Sequence, residues 1–157
     1  MSNTADTAQV LIRPPIAWIA GLTFNWLMPL PFLTAAVPAR WVGGVVFVLA
    51  LVLLAWAIST ITRAGSNVPT NRPATTIVES GPYRFTRNPM YLCGMLIWLG
   101  WIILYGSVAV LAGAGIFWGS VAALVVPWEE RNLEARFGEA YVRYKNSVPR
   151  WVGKRSR

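Results

Sequence analysis

Two adjacent glutamates, Glu129 and Glu130, follow directly after a long apolar run and could take part in chemistry. Acidic side chains in the first turn of a helix commonly only complement its dipole, which contributes about 0.3–1 kcal/mol each. A carboxylate beside apolar surface is costly, however, unless a cation meets it. Arg84, Arg87 and Arg150 are candidate cations in the chain. A cationic ligand is the alternative partner for the pair.

The composition removes several kinds of active site. The 157 residues include no histidine and one cysteine, Cys93, which lies in an apolar run. The commonest metal ligand and the commonest general base are therefore both missing. We expect no metal site, and the chain cannot form an intrachain disulfide.

The elements that position these residues are predicted to be membrane spans. Hydrophobic residues make up 55% of the chain and charged residues 13%, about half the usual charged share of a soluble domain. A spanning helix needs about 20 apolar residues. Four stretches without Asp, Glu, Lys or Arg meet or approach that length: 16–37, 41–62, 89–105 and 107–126. We predict an all-α integral membrane protein with about four transmembrane helices. An ion-coupled transporter is disfavoured, because such proteins need an ionisable residue inside a span.

The distribution of basic residues predicts the orientation. Of the 14 Lys and Arg residues, Arg40 alone would lie on the far side, which leaves 14 − 1 = 13 beside both termini. The positive-inside rule makes that side cytoplasmic, and we expect a bacterial inner membrane. We read residues 1–9 as a short disordered tail and not a signal peptide. The net charge of +8 does not indicate nucleic-acid binding, because the basic residues flank hydrophobic spans.

The 26-residue link 63–88 is longer than an ordinary loop and therefore suggests function. Its segment 75–78 is β-branched and strand-like, and Gly81-Pro82 marks a turn. Asn88 suits a helix cap and Pro89 the first helical position.

A second polar segment follows the fourth span. We expect Pro127 to break the helix and an amphipathic, interfacial helix to follow, with Gly138 weakening its continuity. On a helical wheel four large side chains share one third of the circumference: Leu133, Phe137, Tyr141 and Tyr144.

Two motifs carry a resemblance to known proteins. GPYRFTRNPMY at 81–91, followed by EERNLEARFGEAYVRYKNSVPRW at 129–151, resembles the isoprenylcysteine carboxyl methyltransferases and the related membrane phospholipid methyltransferases. The resemblance covers about 75–151, roughly half of the chain. It implies a single membrane methyltransferase domain over 1–157, with cofactor motifs at 75–91 and 127–151.

The resemblance also implies an activity and a site. Such proteins transfer a methyl group from S-adenosylmethionine to a lipophilic acceptor, so the expected partners are membrane lipids and a lipid or lipophilic small molecule. The implied catalytic residues are Glu129, Glu130 and Arg150. The implied cofactor-binding residues are Thr75, Thr76, Ile77, Val78, Tyr83, Asn88, Pro89, Met90, Tyr91, Glu129, Tyr141 and Tyr144.

Two positions depart from the family pattern. Asn88 stands where the family usually has histidine, and an amide cannot act as a titrating base. Val125 stands where prenylcysteine members carry a basic residue for the substrate carboxylate. The departure at Val125 favours an acceptor other than a prenylcysteine. Two other functions stay open, an NADPH-dependent membrane reductase of the sterol-reductase type and a non-catalytic membrane scaffold.

Overall fold

The structure, a computed structural model, describes residues 19–20, 23, 25–27, 37–67 and 74–152. Within these ranges the chain is helical with irregular connections, and it contains no β-strand. The predicted all-α class is therefore confirmed for this part of the chain. The first predicted span, 16–37, lies largely outside the described residues, and those of its residues that are described are helical.

Five α-helices are defined in the described ranges. Helix α1 spans Val37–Arg63, α2 spans Pro89–Tyr105 and α3 spans Val108–Ser120. Helix α4 spans Val126–Phe137 and α5 spans Glu139–Ser147. A π-helical turn, Val121–Val125, connects α3 to α4, and a 3₁₀ turn, Gly81–Arg84, precedes α2.

Two helical segments have the length and composition to cross a membrane. They are Arg40–Arg63, of 24 residues, and the continuous stretch Val108–Phe137, of 30 residues. Helix α2 is apolar but shorter, at 17 residues. The predictions of four spans and of an interfacial C-terminal helix therefore stay predictions.

The expected helix break at Pro127 is wrong. Pro127 lies inside α4, directly after the π-helical turn, whose last hydrogen bond runs from the Val126 N–H to the Val121 carbonyl. Proline lacks an N–H, and its ring crowds the carbonyl four residues earlier. A π-turn widens the backbone by one residue per turn and so relieves this crowding without ending the helix.

Two glycines separate consecutive helices. Gly106 (φ 54°) separates α2 from α3, and the Ser107 hydroxyl then accepts a hydrogen bond from the Ala109 N–H. Gly138 (φ 54°) separates α4 from α5. The C-terminal segment is therefore two helices and not one.

The link before α2 corrects one expectation. Residues 75–78 are irregular and form no strand, because no neighbouring strand in the described chain offers their backbone a ladder of hydrogen bonds. Side chains hold the segment instead. The Ser66 hydroxyl accepts from the Thr75 N–H at 3.3 Å and donates to the Thr76 carbonyl at 3.2 Å. Pro89 begins α2, as predicted.

The chain divides into two compact units. Of the described residues, those up to 50 and those of 94–127 form the first, and those of 51–93 and 128–152 form the second. In the first unit α1 and α2 pack closely at Gly43, where an added Cβ would lie 3.0 Å from the Gly100 carbonyl oxygen. Trp98 is 1% exposed and packs between Trp101 and Phe117, with ring centroids 5.6 and 6.3 Å away.

The second unit contains two buried clusters. Ala57, Ile61 and Tyr83 form one, with Val78 and Met90 packed against them. The other cluster contains the four large side chains that the helical wheel places on one face. It consists of Tyr141, Tyr144 and Val148, with Ile77, Leu133 and Phe137 packed against them.

Candidate functional site

The second unit contains a cavity that both sequence motifs line. The end of α1 and the link contribute one part of the wall, the 3₁₀ turn and the start of α2 another, and α4 and α5 the rest. Its lining residues are Ile61, Ser66, Asn67, Ala74, Thr76, Ile77, Val78, Tyr83, Arg87, Asn88, Pro89, Met90, Tyr91, Glu129, Glu130, Leu133, Tyr141 and Tyr144.

The two adjacent glutamates have different surroundings. Glu129 is half-buried, and its Oε2 accepts a hydrogen bond of 3.0 Å from the Tyr91 hydroxyl. Glu130 is 5% exposed and meets two guanidinium groups. Arg87 Nη1 lies 2.8 Å from Glu130 Oε1, and Arg150 Nη2 lies 2.6 Å from Oε2. The prediction that a cation must meet this buried carboxylate is thus confirmed for Arg87 and Arg150.

The third candidate cation, Arg84, has another role. It is exposed, and its guanidinium carbon lies 5.2 Å from the centroid of the Phe85 ring. Such a contact between a cation and an exposed ring contributes about 0.5–1 kcal/mol.

The residues after α5 are fastened to the link. The carbonyl oxygen of Arg150 accepts hydrogen bonds of 3.0 Å from both the Thr86 hydroxyl and the Asn88 side-chain amide. The Arg87 N–H donates to the Pro149 carbonyl at 3.0 Å. Asn88, at the position where the resemblance implies a histidine, is therefore a buried residue that joins the two motifs through a hydrogen bond.

Three tyrosines of the cavity wall are neutral hydroxyls at ordinary pH. Burial raises the pKa of Tyr141 to about 12, with the Glu130 charge as a smaller cause. Burial likewise raises the pKa of Tyr83 and Tyr144 well above the usual value for tyrosine. The Tyr144 hydroxyl donates to the Tyr83 carbonyl at 2.8 Å. These groups can donate hydrogen bonds, but they are poor bases.

Two predicted site residues lie outside the cavity wall. The Thr75 side chain is exposed, and its hydroxyl donates to the Gly65 carbonyl at 2.8 Å, so it fastens the link. Arg150 does not line the cavity and contacts it through Glu130. The other twelve predicted site residues are brought together: Thr76, Ile77, Val78, Tyr83, Asn88, Pro89, Met90, Tyr91, Glu129, Glu130, Tyr141 and Tyr144.

Sequence reasoning missed six residues of the wall: Ile61, Ser66, Asn67, Ala74, Arg87 and Leu133. The sequence did single out two of them for other reasons. Arg87 was a possible partner of the glutamates, and Leu133 was one of the four large side chains on one helical face. Ile61 and Ser66 carried none, because they belong to the end of α1 and to its exit, outside both motifs.

A family model supports the assignment that the motifs suggest. The model of the phospholipid methyltransferases matches residues 38–140, which is well over half of the chain. The chain belongs to the phospholipid methyltransferase family. The chain is therefore a member of a family of membrane methyltransferases, and its apolar helices agree with that placement.

Curated relatives of this family member differ in length and in name. An uncharacterized protein of Haemophilus influenzae is 38% identical over 63 residues, which are 40% of this chain and the whole of that protein. The cobalt-zinc-cadmium resistance protein CzcN of Cupriavidus metallidurans is 29% identical over 79% of this chain and 60% of its own. Protein-S-isoprenylcysteine O-methyltransferase A of Arabidopsis thaliana is 39% identical over 74 residues, which are 46% of this chain.

The chain spans less than two thirds of the length of each of the two named relatives. It spans 60% of the resistance protein and 36% of the plant isoprenylcysteine methyltransferase. No solved structure matches the chain.

Proposed function

We propose that this protein transfers a methyl group from S-adenosylmethionine to a lipophilic acceptor at the cytoplasmic surface of the membrane. The observation that carries the proposal is the cavity in the second unit. Its wall contains residues of both motifs, within 76–91 and 129–144, and includes the hydrogen-bonded pair Tyr91 and Glu129. A cavity with apolar walls and a few convergent polar groups is the usual form of a small-molecule site.

The residues present fit the cofactor. The Tyr83 hydroxyl is buried and makes no hydrogen bond within the described part of the chain. A buried polar group without a partner costs about 1–3 kcal/mol, so a bound ligand that supplies the partner is stabilised. Ile77, Val78 and Met90 offer apolar surface for an adenine ring, while Glu129 offers a carboxylate.

The chemistry matches a site that lacks histidine. S-adenosylmethionine, when bound, supplies a methyl group on a positively charged sulfur. The displacement disperses that charge, and it depends on alignment of the reactants and exclusion of water more than on an acid or a base. Glu129 can hold a cationic ligand, and Tyr91 fixes the position of its carboxylate. Glu130 and Arg150 position the wall of the site, since Glu130 already binds two guanidinium groups.

Charge in the cavity wall favours methyl transfer over NADPH-dependent reduction. The 2′-phosphate of NADPH is usually held by basic side chains. Arg87 is the one basic residue among the described residues of the wall, and the carboxylate of Glu129 in the same wall repels a phosphate.

Ligand-induced stabilisation of the purified protein in detergent tests the proposal. S-adenosylmethionine at a hundred times its dissociation constant should add about 2.7 kcal/mol of stability, and NADPH at the same concentration should add none. Transfer of a methyl label from the cofactor into a membrane extract should then label a lipid-soluble product. Stabilisation by NADPH alone would establish the reductase, and no response to either ligand would favour the scaffold.

A further inference from the structure

Arg87 is a buried cation whose hydrogen bonds are incomplete. Its side chain is 9% exposed, and Nη1 lies 2.8 Å from Glu130 Oε1. Its Nε is buried and has no hydrogen-bond partner among the residues that the structure describes. Arg87 also lines the cavity. Buried polar groups in proteins are almost always hydrogen-bonded, so a ligand that offers an acceptor to this N–H would be favoured.

The charge around Arg87 is also unbalanced. Glu130 is shared between Arg87 and Arg150, so one carboxylate faces two guanidinium groups. Arg150 is 40% exposed at its side chain and is solvated by water, whereas Arg87 is not. The buried positive charge of Arg87 is therefore only partly compensated, and an anionic group of a ligand would complete the compensation.

Glu129, in the same cavity wall, is a carboxylate without a cationic partner among the described residues. Its carboxylate accepts one hydrogen bond from the neutral Tyr91 hydroxyl, and it forms no ion pair with any described residue. A half-buried carboxylate without a cation is favourable only when a ligand supplies one. The cavity wall thus contains a cation, Arg87, and an anion, Glu129, whose charges are not fully compensated by the described residues.

We propose that Arg87 binds the carboxylate, and Glu129 the ammonium, of the amino-acid end of S-adenosylmethionine. This inference rests on the proposed function and assigns a role to Arg87, a residue of the first motif that was not among the predicted cofactor-binding residues. An α-amino acid carries both charges on one carbon and so matches the two deficits. The planar guanidinium suits a carboxylate, because its N–H groups form a fixed fork. The amino-acid end is thereby distinguished from a nucleotide, which has no ammonium.

Decarboxylated S-adenosylmethionine is the probe that isolates Arg87. It keeps the adenosine, the sulfonium and the amine, and it lacks only the carboxylate. Calorimetry on the full-length protein in detergent should give a dissociation constant for S-adenosylmethionine about 10- to 150-fold lower than that for the decarboxylated form. In Arg87→Gln this ratio should fall to near one, and in Arg87→Lys it should be intermediate. Arg84→Gln, an exposed control three residues away, should keep the wild-type ratio.

The ratio is measured within each variant, so a loss of folded protein does not change it. A wild-type ratio near one, or a wild-type ratio preserved in Arg87→Gln, would overturn the assignment of Arg87 while leaving methyl transfer intact. Failure of the wild-type protein to bind S-adenosylmethionine at all would instead overturn the proposed function, and this inference with it.

Discussion

The Tyr91 hydroxyl donates a hydrogen bond of 3.0 Å to Oε2 of Glu129, across 38 positions of the sequence. The bond joins the start of α2 to the first turn of α4 within the second unit. It fixes the direction of the Glu129 carboxylate, but a neutral hydroxyl leaves the negative charge uncompensated. The pairing therefore prepares Glu129 for a cationic ligand instead of neutralising it.

Glu129→Gln should raise the dissociation constant for S-adenosylmethionine about 10- to 150-fold, because it removes a charge-assisted hydrogen bond worth about 1.5–3 kcal/mol. Glu139→Gln is the matched control, since Glu139 is exposed at the start of α5 and lies outside the cavity wall. Calorimetry on both variants in the same detergent makes the comparison. Equal dissociation constants for the two would contradict the role of Glu129.

Glu130→Gln should mainly lower the free energy of unfolding. Its effect on the affinity of the folded protein for S-adenosylmethionine should be smaller. The substitution leaves the buried Arg87 guanidinium without its carboxylate, and breaking a buried ion pair costs about 3–5 kcal/mol. Glu134→Gln in the same helix is the control. Glu134 pairs with Lys145 at 2.8 Å, and both side chains are about one-third exposed, so its loss should cost about 0–1 kcal/mol. Equal shifts in the thermal midpoints would show that the Glu130 cluster does not support the fold.

Gly81→Ala should destabilise the second unit through a specific clash. Gly81 has φ +57°, and an added Cβ would lie 2.7 Å from Thr60 Oγ1. Gly65→Ala is the control, because Gly65 has φ +69° but no atom within 4 Å of the added Cβ. Backbone strain of about 1–2 kcal/mol should affect both variants, whereas the clash should affect Gly81→Ala alone.

The clash has its own check in a double variant. In Gly81→Ala with Thr60→Ala the nearest remaining Thr60 atom is Cβ, at 3.4 Å, which is an ordinary contact. The double variant should therefore lose less free energy of unfolding than the two single variants lose in sum. Additive losses would place the cost of Gly81→Ala entirely in its backbone.

Local chemistry explains which features of the fold could be predicted. Pro89 begins α2, and Gly106 and Gly138 end helices with positive φ, because each of these residues restricts or frees its own backbone. Pro127 was mispredicted for the same reason. The local effect of proline is to break a helix. The π-helical turn that accommodates Pro127 is formed by the earlier residues Val121–Val125, so Pro127 alone does not reveal it. Likewise 75–78 has β-branched residues, but the described part of the chain contains no strand with which they could pair.

The candidate site divides along a similar line. The family resemblance implied fourteen site residues, and twelve of them line one cavity. Arg87 was recognised only as one of three possible cations, because its pairing with Glu130 joins residues 43 positions apart (130 − 87). Ile61 and Ser66 could not be chosen at all. They reach the wall only because the link turns back after α1.

Single-cysteine labelling tests the orientation that the basic residues predict. In a Cys93→Ser background, Ser80→Cys should react with a membrane-impermeant maleimide only after the cells are opened, because the link 63–88 is predicted to be cytoplasmic. Arg40→Cys should react in intact cells, since Arg40 alone is assigned to the far side. Both residues are exposed, so accessibility within the fold does not limit the reaction. Labelling of Ser80→Cys from outside intact cells would refute the topology.

The acceptor should be a lipid or a lipophilic small molecule that arrives already nucleophilic, such as a thiolate or a neutral amine, and that enters from the bilayer. The chain has no histidine, and the raised pKa values of Tyr83, Tyr141 and Tyr144 make those hydroxyls poor bases near neutral pH. Val125, at the position of the basic residue expected for a prenylcysteine carboxylate, is a buried apolar side chain. The purified protein in detergent should therefore methylate an aminophospholipid or a hydrophobic thiol in preference to a prenylcysteine analogue, when each is offered with labelled S-adenosylmethionine. Efficient methylation of the prenylcysteine analogue alone would refute this acceptor class and assign the protein the substrate named for its plant relative.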